Sequence, residues 1–139
     1  MNGQALSRTV ATVMSPEPIC IAAAASVAEA AELLDALGIG GVPVIDGAGR
    51  LVGVVSQADL LRIRASGLPW NGWHGLRVRD VMSEPALTIG SSDSLAEAAE
   101  RMVERKVHRL VVVDEEQQPV GVLAQSDVLR EIADACDDD

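Results

Sequence analysis

The pattern of hydrophobic and polar residues changes its period twice in each half of this chain. The runs at 19–21 and 87–89 are short and β-prone and end in small or polar residues, which predicts a strand in each. After each run, apolar residues recur at the spacing of one helix face; they are Val27, Ala30, Ala31 and Leu34 in the first half and Leu95, Ala98, Ala99 and Met102 in the second. Each half therefore opens with a strand and a helix.

Local signals mark the ends of these helices. Ser26 and Ser94 each stand three residues before a glutamate, Glu29 or Glu97, which is the spacing of a capping box. Gly38 follows the apolar stripe of the first helix and is typical of a helix C-terminus. We therefore expect the helices to begin at the two serines and the first one to end at Gly38.

Two further apolar runs complete each half. Residues 42–45 and 51–55 predict a hairpin in the first half, as do 110–113 and 120–123 in the second, because an Asp-led turn separates each pair. A second helix is expected after each hairpin, beginning near Ser56 in the first half. The order in each half is strand, helix, strand, strand, helix.

The two halves are copies of one another. A single offset places Met14 on Met82 and Asp59 on Asp127 without a gap. Two copies are too few for a solenoid, which needs about three or more. We predict instead an α+β (mixed α/β) fold in which two pseudo-twofold-related β-α-β-β-α units pack as one compact module.

The repeat also sets the expected domain boundaries. We assign residues 1–65 to the first unit with its N-terminal segment and 66–77 to a connector that contains both tryptophans. Residues 78–132 form the expected second unit, and 133–139 form an acidic tail.

Composition narrows the class of protein. The chain has 139 residues, a usual size for one domain, and a formal net charge of −10, which argues against nucleic-acid binding because that needs Lys and Arg to neutralise phosphates. It has neither a run of about 18 apolar residues nor the basic-then-apolar start of a secretory signal. Cys20 and Cys136 lie in unlike surroundings and predict no disulfide framework. We expect a cytoplasmic protein with no nucleic-acid or membrane partner.

The sequence offers little for catalysis. His74 and His108 have no clustered carboxylate or thiol, so we expect no metal site. No histidine accompanies a placed Ser or Cys, and neither a G-x-S-x-G elbow nor a P-loop occurs, so we expect no enzymatic activity and no catalytic cofactor. The pair His108-Arg109 keeps two interpretations, a cationic contact to a phosphate or a solvent-exposed helix exit.

Three motifs occur in the same order in both halves. They are Val-Met-Ser at 13–15 and 81–83, a strand followed by Asp at 41–46 and 108–114, and a Gly-Val motif ending in Gln-x-Asp at 53–59 and 121–127. With these motifs, the chain resembles the CBS domain family over about residues 10–130, and its two units resemble the tandem CBS pair, or Bateman module. The resemblance implies a regulatory module that binds an adenosine-containing nucleotide in the cleft between the units and transmits occupancy to a partner protein.

The resemblance also implies which first-copy residues bind. Ser56 would approach a phosphate and Asp59 would accept ribose hydroxyls, while the backbone near the first strand and near Gly41 would hold the adenine. The implied nucleotide-binding residues are Ile19, Cys20, Ile21, Gly41, Val42, Pro43, Ser56 and Asp59. General chemistry agrees, since a carboxylate can accept two bonds from a cis-diol and a helix N-terminus attracts anions. The spacing from Ser56 to Asp59 is equally that of an ordinary helix cap, and this alternative stays open.

The second copy departs from the pattern. Ala124 stands in the place of Ser56 and Val111 in the place of Pro43, while Asp127 keeps the carboxylate. The possible second site comprises Leu87, Thr88, Ile89, Arg109, Leu110, Val111 and Asp127. If one copy alone binds, we expect it to be the first.

The ligand and the partners stay open. The candidate regulatory ligands are AMP, ADP, ATP, NAD(H) and S-adenosylmethionine, and the alternative function is a CBS-type protein-interaction module with no small-molecule ligand. Members of the family usually pair through helices of the kind that begin at Ser56 and Ser126, so we expect a homodimer and a separate effector protein. Trp70 and Trp73 either pin the connector to its own protein or form a lid or a subunit contact.

Overall fold

The computed structural model describes residues 6–67 and 69–137 of the chain. Contacts between residues divide the chain into two units. The first-repeat unit comprises Ile19–Ala86, and the second-repeat unit comprises Met1–Pro18 together with Leu87–Asp139. Each unit holds one sheet and one hydrophobic core.

The secondary structure follows the predicted order in both units. The strands are β1 Ser15–Pro16, β2 Ile21–Ala22, β3 Gly41–Ile45, β4 Leu51–Ser56, β5 Thr88–Gly90, β6 Arg109–Val113 and β7 Pro119–Ala124. The α-helices are α1 Val27–Leu37, α2 Gln57–Ala65, α3 Val78–Val81, α4 Leu95–Arg105 and α5 Gln125–Asp137, and short 3-10 helices span Val10–Thr12 and Trp70–His74. The predicted α+β class is confirmed.

The first helix of each repeat begins as the sequence predicts. Ser26 Oγ accepts a hydrogen bond from the Glu29 backbone N–H at 3.1 Å, and Ser94 Oγ accepts one from the Glu97 N–H at 3.2 Å. α1 ends at Gly38, whose φ of 64° lies in the left-handed region that glycine tolerates. The predicted ends of α1 are therefore confirmed.

Each sheet combines a parallel pair with a hairpin. In the first-repeat unit, β2 pairs parallel with β3, and β3 pairs antiparallel with β4. In the second-repeat unit, β5 pairs parallel with β6, β6 pairs antiparallel with β7, and β1 joins the outer edge of β7. α1 and α4 supply the crossovers that the parallel pairs require, and their apolar stripes face the cores. The predicted hairpins are confirmed.

A segment from outside each repeat covers the edge of that repeat's hairpin. In the first-repeat unit, Ser83 and Val54 of β4 exchange backbone N–H···O bonds of 3.0 and 2.9 Å. In the second-repeat unit, Ser15 lies opposite Val122 in the pairing of β1 with β7. The Val-Met-Ser motif ahead of each repeat therefore packs in the unit of the other repeat.

The contacts thus divide the chain differently from the expected boundaries. The N-terminal segment was expected with the first unit, within 1–65, and the second unit was expected to start at 78. By contact, Ser15–Pro16 groups with the second-repeat unit and 78–86 with the first-repeat unit, while the boundaries expected for the two repeats along the sequence stay a prediction. The two divisions differ because a repeat offset identifies equivalent residues and carries no information about which sheet edge a segment covers.

The predicted connector, 66–77, contains the 3-10 helix Trp70–His74. Trp73 is buried in the core of the first-repeat unit, which supports the interpretation of a segment pinned to its own protein. The side chain of Trp70 lies outside the described residues, and its role stays a prediction.

The expected acidic tail, 133–139, is largely helical. α5 continues to Asp137, and Ala135 is buried, so the last turns of the helix pack against the unit rather than ending at 132. Asp138 and Asp139 lie outside the described residues.

The covering segments approach their sheets at glycines. A Cβ on Gly53 would lie 2.7 Å from the Ser83 carbonyl oxygen and 2.9 Å from Met82 Sδ. A Cβ on Gly121 would lie 2.8 Å from the Ser15 carbonyl oxygen. A larger residue at either position would therefore push the covering segment away from the sheet.

Gly53→Ala tests this close approach. The added methyl group overlaps the Ser83 carbonyl oxygen, so we expect the free energy of unfolding to fall by about 1–3 kcal/mol. In a chain of this size the melting temperature, followed by circular dichroism, should drop by several degrees.

Gly47→Ala is the matched control, since nothing lies within 4 Å of its Cβ position. Its free energy of unfolding should stay within about 0.5 kcal/mol of the wild type. Equal melting of the two variants would contradict the role assigned to Gly53.

Candidate functional site

Asp59, in the first turn of α2, has a carboxylate that is 1% exposed and held by four donors. Oδ2 accepts from the Ser56 backbone N–H at 2.8 Å and from the Ser56 hydroxyl at 3.0 Å. Oδ1 accepts from the Ser83 hydroxyl at 2.9 Å and from Arg62 Nη2. Since a carboxylate offers about four lone-pair sites, these donors occupy its acceptor capacity.

Ser56 completes the start of α2. Its hydroxyl accepts from the Asp59 backbone N–H at 3.2 Å, so the two residues form a reciprocal capping box. The helix cap that this spacing predicts is therefore formed in the structure. The same position carries the positive end of the helix dipole, which favours an anion.

The other predicted first-copy residues lie at the same end of the sheet. Gly41 pairs with Ser56 across β3 and β4. The parallel pairing of Ile21 with Val44 leads β2 back toward this end, where residues 19–20 precede the strand. The fold thus brings Gly41 and residues 19–20, which are predicted to hold the adenine, to the end of the sheet where α2 begins.

The predicted first-copy residues differ in their exposure to solvent. Val42 and Pro43 are buried in the sheet, whereas Ile19 is 51% exposed. Cys20 is half-buried, and burial raises the pKa of its thiol, which keeps it neutral at physiological pH. Ile19 therefore presents an exposed apolar side chain at this end of the sheet.

A cavity of about 690 Å³ lies beside Asp59 within the first-repeat unit. Arg62, Ile63, Ser66, Leu76 and Val81 line it together with Asp59. Its volume falls in the range of about 300–1,000 Å³ that is typical of small-molecule sites. The guanidinium of Arg62 is 66% exposed, so the ion pair connects the buried carboxylate to solvent.

Asp127 occupies the equivalent place in α5. In the described part of the chain, its Oδ2 accepts from the Ala124 backbone N–H at 2.8 Å, and Arg130 Nη1 lies 3.7 Å from its Oδ1. The carboxylate is 14% exposed, against 1% for Asp59. Asp127 therefore keeps more of its acceptor capacity for other donors.

The remaining second-copy residues gather at the matching end of their own sheet. Arg109 is exposed and pairs with Ala124 at the start of β6. Thr88 pairs with Val111, and its carbonyl oxygen accepts from Arg101 Nη1 at 2.5 Å. The apolar members are buried or half-buried; they are Leu87, Ile89, Leu110 and Val111.

Sequence reasoning missed two contacts at these sites. Ser83 was expected only as a member of the Val-Met-Ser motif, and its bond to Asp59 joins residues 24 apart. His108 is exposed, and its Nδ1 lies 3.0 Å from Gln125 Oε1, which fixes the side chain beside the start of α5. The recurrence of a serine at the same place in both motifs was the one available signal for Ser83.

Within residues 6–67 and 69–137, no three His, Cys, Asp or Glu side chains are grouped so that they could hold a metal ion. None of the helices in those ranges has the length and apolar character needed to cross a bilayer. The cellular compartment stays a prediction.

Comparison of the sequence with known proteins gives one family. The CBS domain profile matches residues 10–66 and 78–134. The 5′-AMP-activated protein kinase subunit gamma-3 of Sus scrofa is 35% identical over 116 residues, which cover 76% of this chain and 23% of that subunit. The chloroplastic CBS domain-containing protein CBSX2 of Arabidopsis thaliana is 34% identical over 129 residues, covering 76% of this chain and 54% of CBSX2. The chain thus spans about a quarter and about half of these curated relatives.

Solved structures share the fold. The crystal structure of CBSX2 in complex with AMP has a TM-score of 0.77 at 34% identity and covers 91% of this chain and 97% of that one. The CBS domain of a bacterial CNNM/CorC family Mg²⁺ transporter in complex with ATP has a TM-score of 0.78 at 24% identity and covers 94% and 90%. At 24% identity, the similarity to the transporter domain shows a shared fold alone.

Proposed function

The chain belongs to the CBS domain family as a tandem CBS pair, and we propose that it binds an adenosine-containing nucleotide and transmits occupancy to a partner protein. One observation carries the proposal. A buried carboxylate, Asp59, lies at a helix N-terminus and at the sheet end where Gly41 and residues 19–20 also lie, and a cavity lined by other residues adjoins it. CBSX2, a structural relative, has been crystallised with AMP, which supports the same ligand class here.

The chemistry assigns a part of the nucleotide to each group. The ribose hydroxyls donate to Asp59, and a phosphate lies near Ser56, at the positive end of the α2 dipole. The adenine stacks on Ile19 near the Gly41 backbone. AMP, ADP, ATP, NAD(H) and S-adenosylmethionine all contain the adenosine that these contacts require, so the choice among them stays with experiment.

We propose the first copy as the working site. It has the Ser56 hydroxyl, where the second copy has Ala124. The more exposed carboxylate of Asp127 supports the alternative that the second copy binds ribose without a phosphate hydroxyl. We propose that neither copy is catalytic, because no histidine in the sequence accompanies a placed serine or cysteine.

A protein-interaction module without a small-molecule ligand is the second candidate function. The observation that favours it is the full set of own-chain donors on Asp59, which leaves the carboxylate satisfied without a ligand. Ligand-dependent stability separates the two functions.

We also propose a homodimer. α2 and α5 each have two neighbouring apolar residues, at 60–61 and at 128–129. Leu60 and Val128 are buried in their own units, whereas Leu61 is 67% and Leu129 is 64% exposed. Neighbouring residues on a helix point in different directions, so each pair has one side chain inside and one outside. Exposed leucines at equivalent positions of α2 and α5 suit an isologous contact between copies.

Thermal melting tests the ligand. Because a ligand that binds the native state stabilises it by RT ln(1 + [L]/Kd), a hundredfold excess over Kd adds about 2.7 kcal/mol. We expect AMP, ADP, ATP, NAD⁺ or S-adenosylmethionine to raise the melting temperature by several degrees. If all five leave it unchanged at millimolar concentration, the interaction module becomes the better account.

Calorimetry on two alanine variants tests which copy binds. Asp59→Ala leaves two ribose hydroxyls without an acceptor, and each costs about 1–3 kcal/mol, so the affinity should fall at least tenfold. Asp127→Ala is the matched variant and should have a much smaller effect. Circular dichroism must first show that both are folded. The opposite ranking would move the site to the second copy.

Light scattering at tens of micromolar tests the dimer. We expect a dimer mass without ligand and a shift toward the monomer in Leu61→Ser, because the change removes an exposed apolar anchor. Leu37→Ser, at another exposed leucine, on α1, is the control and should keep the dimer mass. A monomer mass for the wild type would contradict the proposal.

A further inference from the structure

Two of the donors on Asp59 differ from the others in how easily they leave. The Ser56 backbone N–H and hydroxyl, on Oδ2, belong to the cap of α2, so their loss would expose the start of the helix. The Ser83 hydroxyl and Arg62 Nη2, on Oδ1, belong to residues that are exposed. Water can replace Asp59 as the partner of these two side chains. A ligand therefore displaces the donors on Oδ1 more easily than the donors on Oδ2.

The Ser83 hydroxyl can leave without moving the chain. Its backbone N–H and carbonyl are both bonded to Val54, at 2.9 and 3.0 Å, which holds the segment against β4. Rotation about χ1 is enough to turn the hydroxyl away from Asp59. The cavity beside Asp59 gives the incoming group room.

The second copy offers the contrast. Ser15 stands at the position equivalent to Ser83 and is exposed. In the described residues, however, Asp127 accepts its hydrogen bond from the Ala124 backbone N–H and forms a 3.7 Å ion pair with Arg130. Asp127 is correspondingly more exposed than Asp59. The serine contact thus distinguishes two carboxylates that occupy equivalent places in the repeat.

From this geometry we infer that Ser83 is a positioning residue that competes with the ligand: its hydroxyl occupies the Asp59 acceptor that a ribose hydroxyl must take. The inference rests on the proposed nucleotide site at Asp59. In the free protein, the hydrogen bond from Ser83 stabilises the Asp59 carboxylate. In the bound protein the ribose takes its place, so the bond lowers the affinity by the amount that it stabilises the free state.

Ser83→Ala therefore has two linked effects. The free protein loses one hydrogen bond to a buried carboxylate, so its melting temperature falls. The bound protein loses nothing, so AMP measured by calorimetry should bind roughly two- to tenfold more tightly than to the wild type. A purely structural serine would lower the melting temperature without tightening AMP.

Two matched variants and a second probe sharpen the test. Ser83→Thr keeps a hydroxyl and should retain the wild-type affinity, and Ser15→Ala changes the equivalent serine of the other unit and should not tighten AMP. With 2′,3′-dideoxy-AMP, which has no ribose hydroxyl to place on Asp59, Ser83→Ala should give no gain.

The outcomes separate this inference from the proposed function. AMP binding by the wild type with an unchanged Kd in Ser83→Ala overturns the competition and leaves the nucleotide site intact. Binding by Ser83→Ala alone supports the competition in its strongest form. Absence of AMP binding in both proteins, and of any other adenosine ligand in the wild type, overturns the nucleotide site and the competition with it.

Discussion

The close backbone contact between each Val-Met-Ser segment and a hairpin edge is the constraint on which the two units depend. An uncovered edge strand would present free N–H and C=O groups to other chains. Covering it brings a carbonyl oxygen so near the strand that Gly53 and Gly121 have no room for a Cβ. The glycine, the covering segment and the edge strand therefore depend on one another, and this arrangement occurs once in each unit.

Asp59 connects this edge to the rest of the candidate site. One oxygen of its carboxylate caps α2 through Ser56, and the other holds Ser83 in the covering segment. The helix start and the edge strand are therefore joined through a single buried group. Because buried polar networks gain strength from the low local dielectric, a change at this carboxylate affects both elements at once.

The sequence predicted those parts of the structure that local chemistry determines. Serine caps at Ser26 and Ser94, the glycine end of α1 and the hairpins all follow from residues close to one another in the chain. The Ser83 contact and the packing of the covering segments were missed, because they join residues far apart in sequence. The helical end of α5 was missed, because the acidic residues within 133–139 predict a tail, whereas the burial of Ala135 depends on packing within the unit.

The exchange of covering segments bears on how such a chain could arise by duplication. A polypeptide with one repeat would carry its Val-Met-Ser segment but would use it in the unit of a second copy, as two swapped protomers do. When two such copies are fused, the exchange of covering segments takes place within one chain. The effective concentration of each segment is then set by the chain and not by the protein concentration. The paired repeat is thus the smallest form of this chain in which both hairpin edges are closed at any dilution.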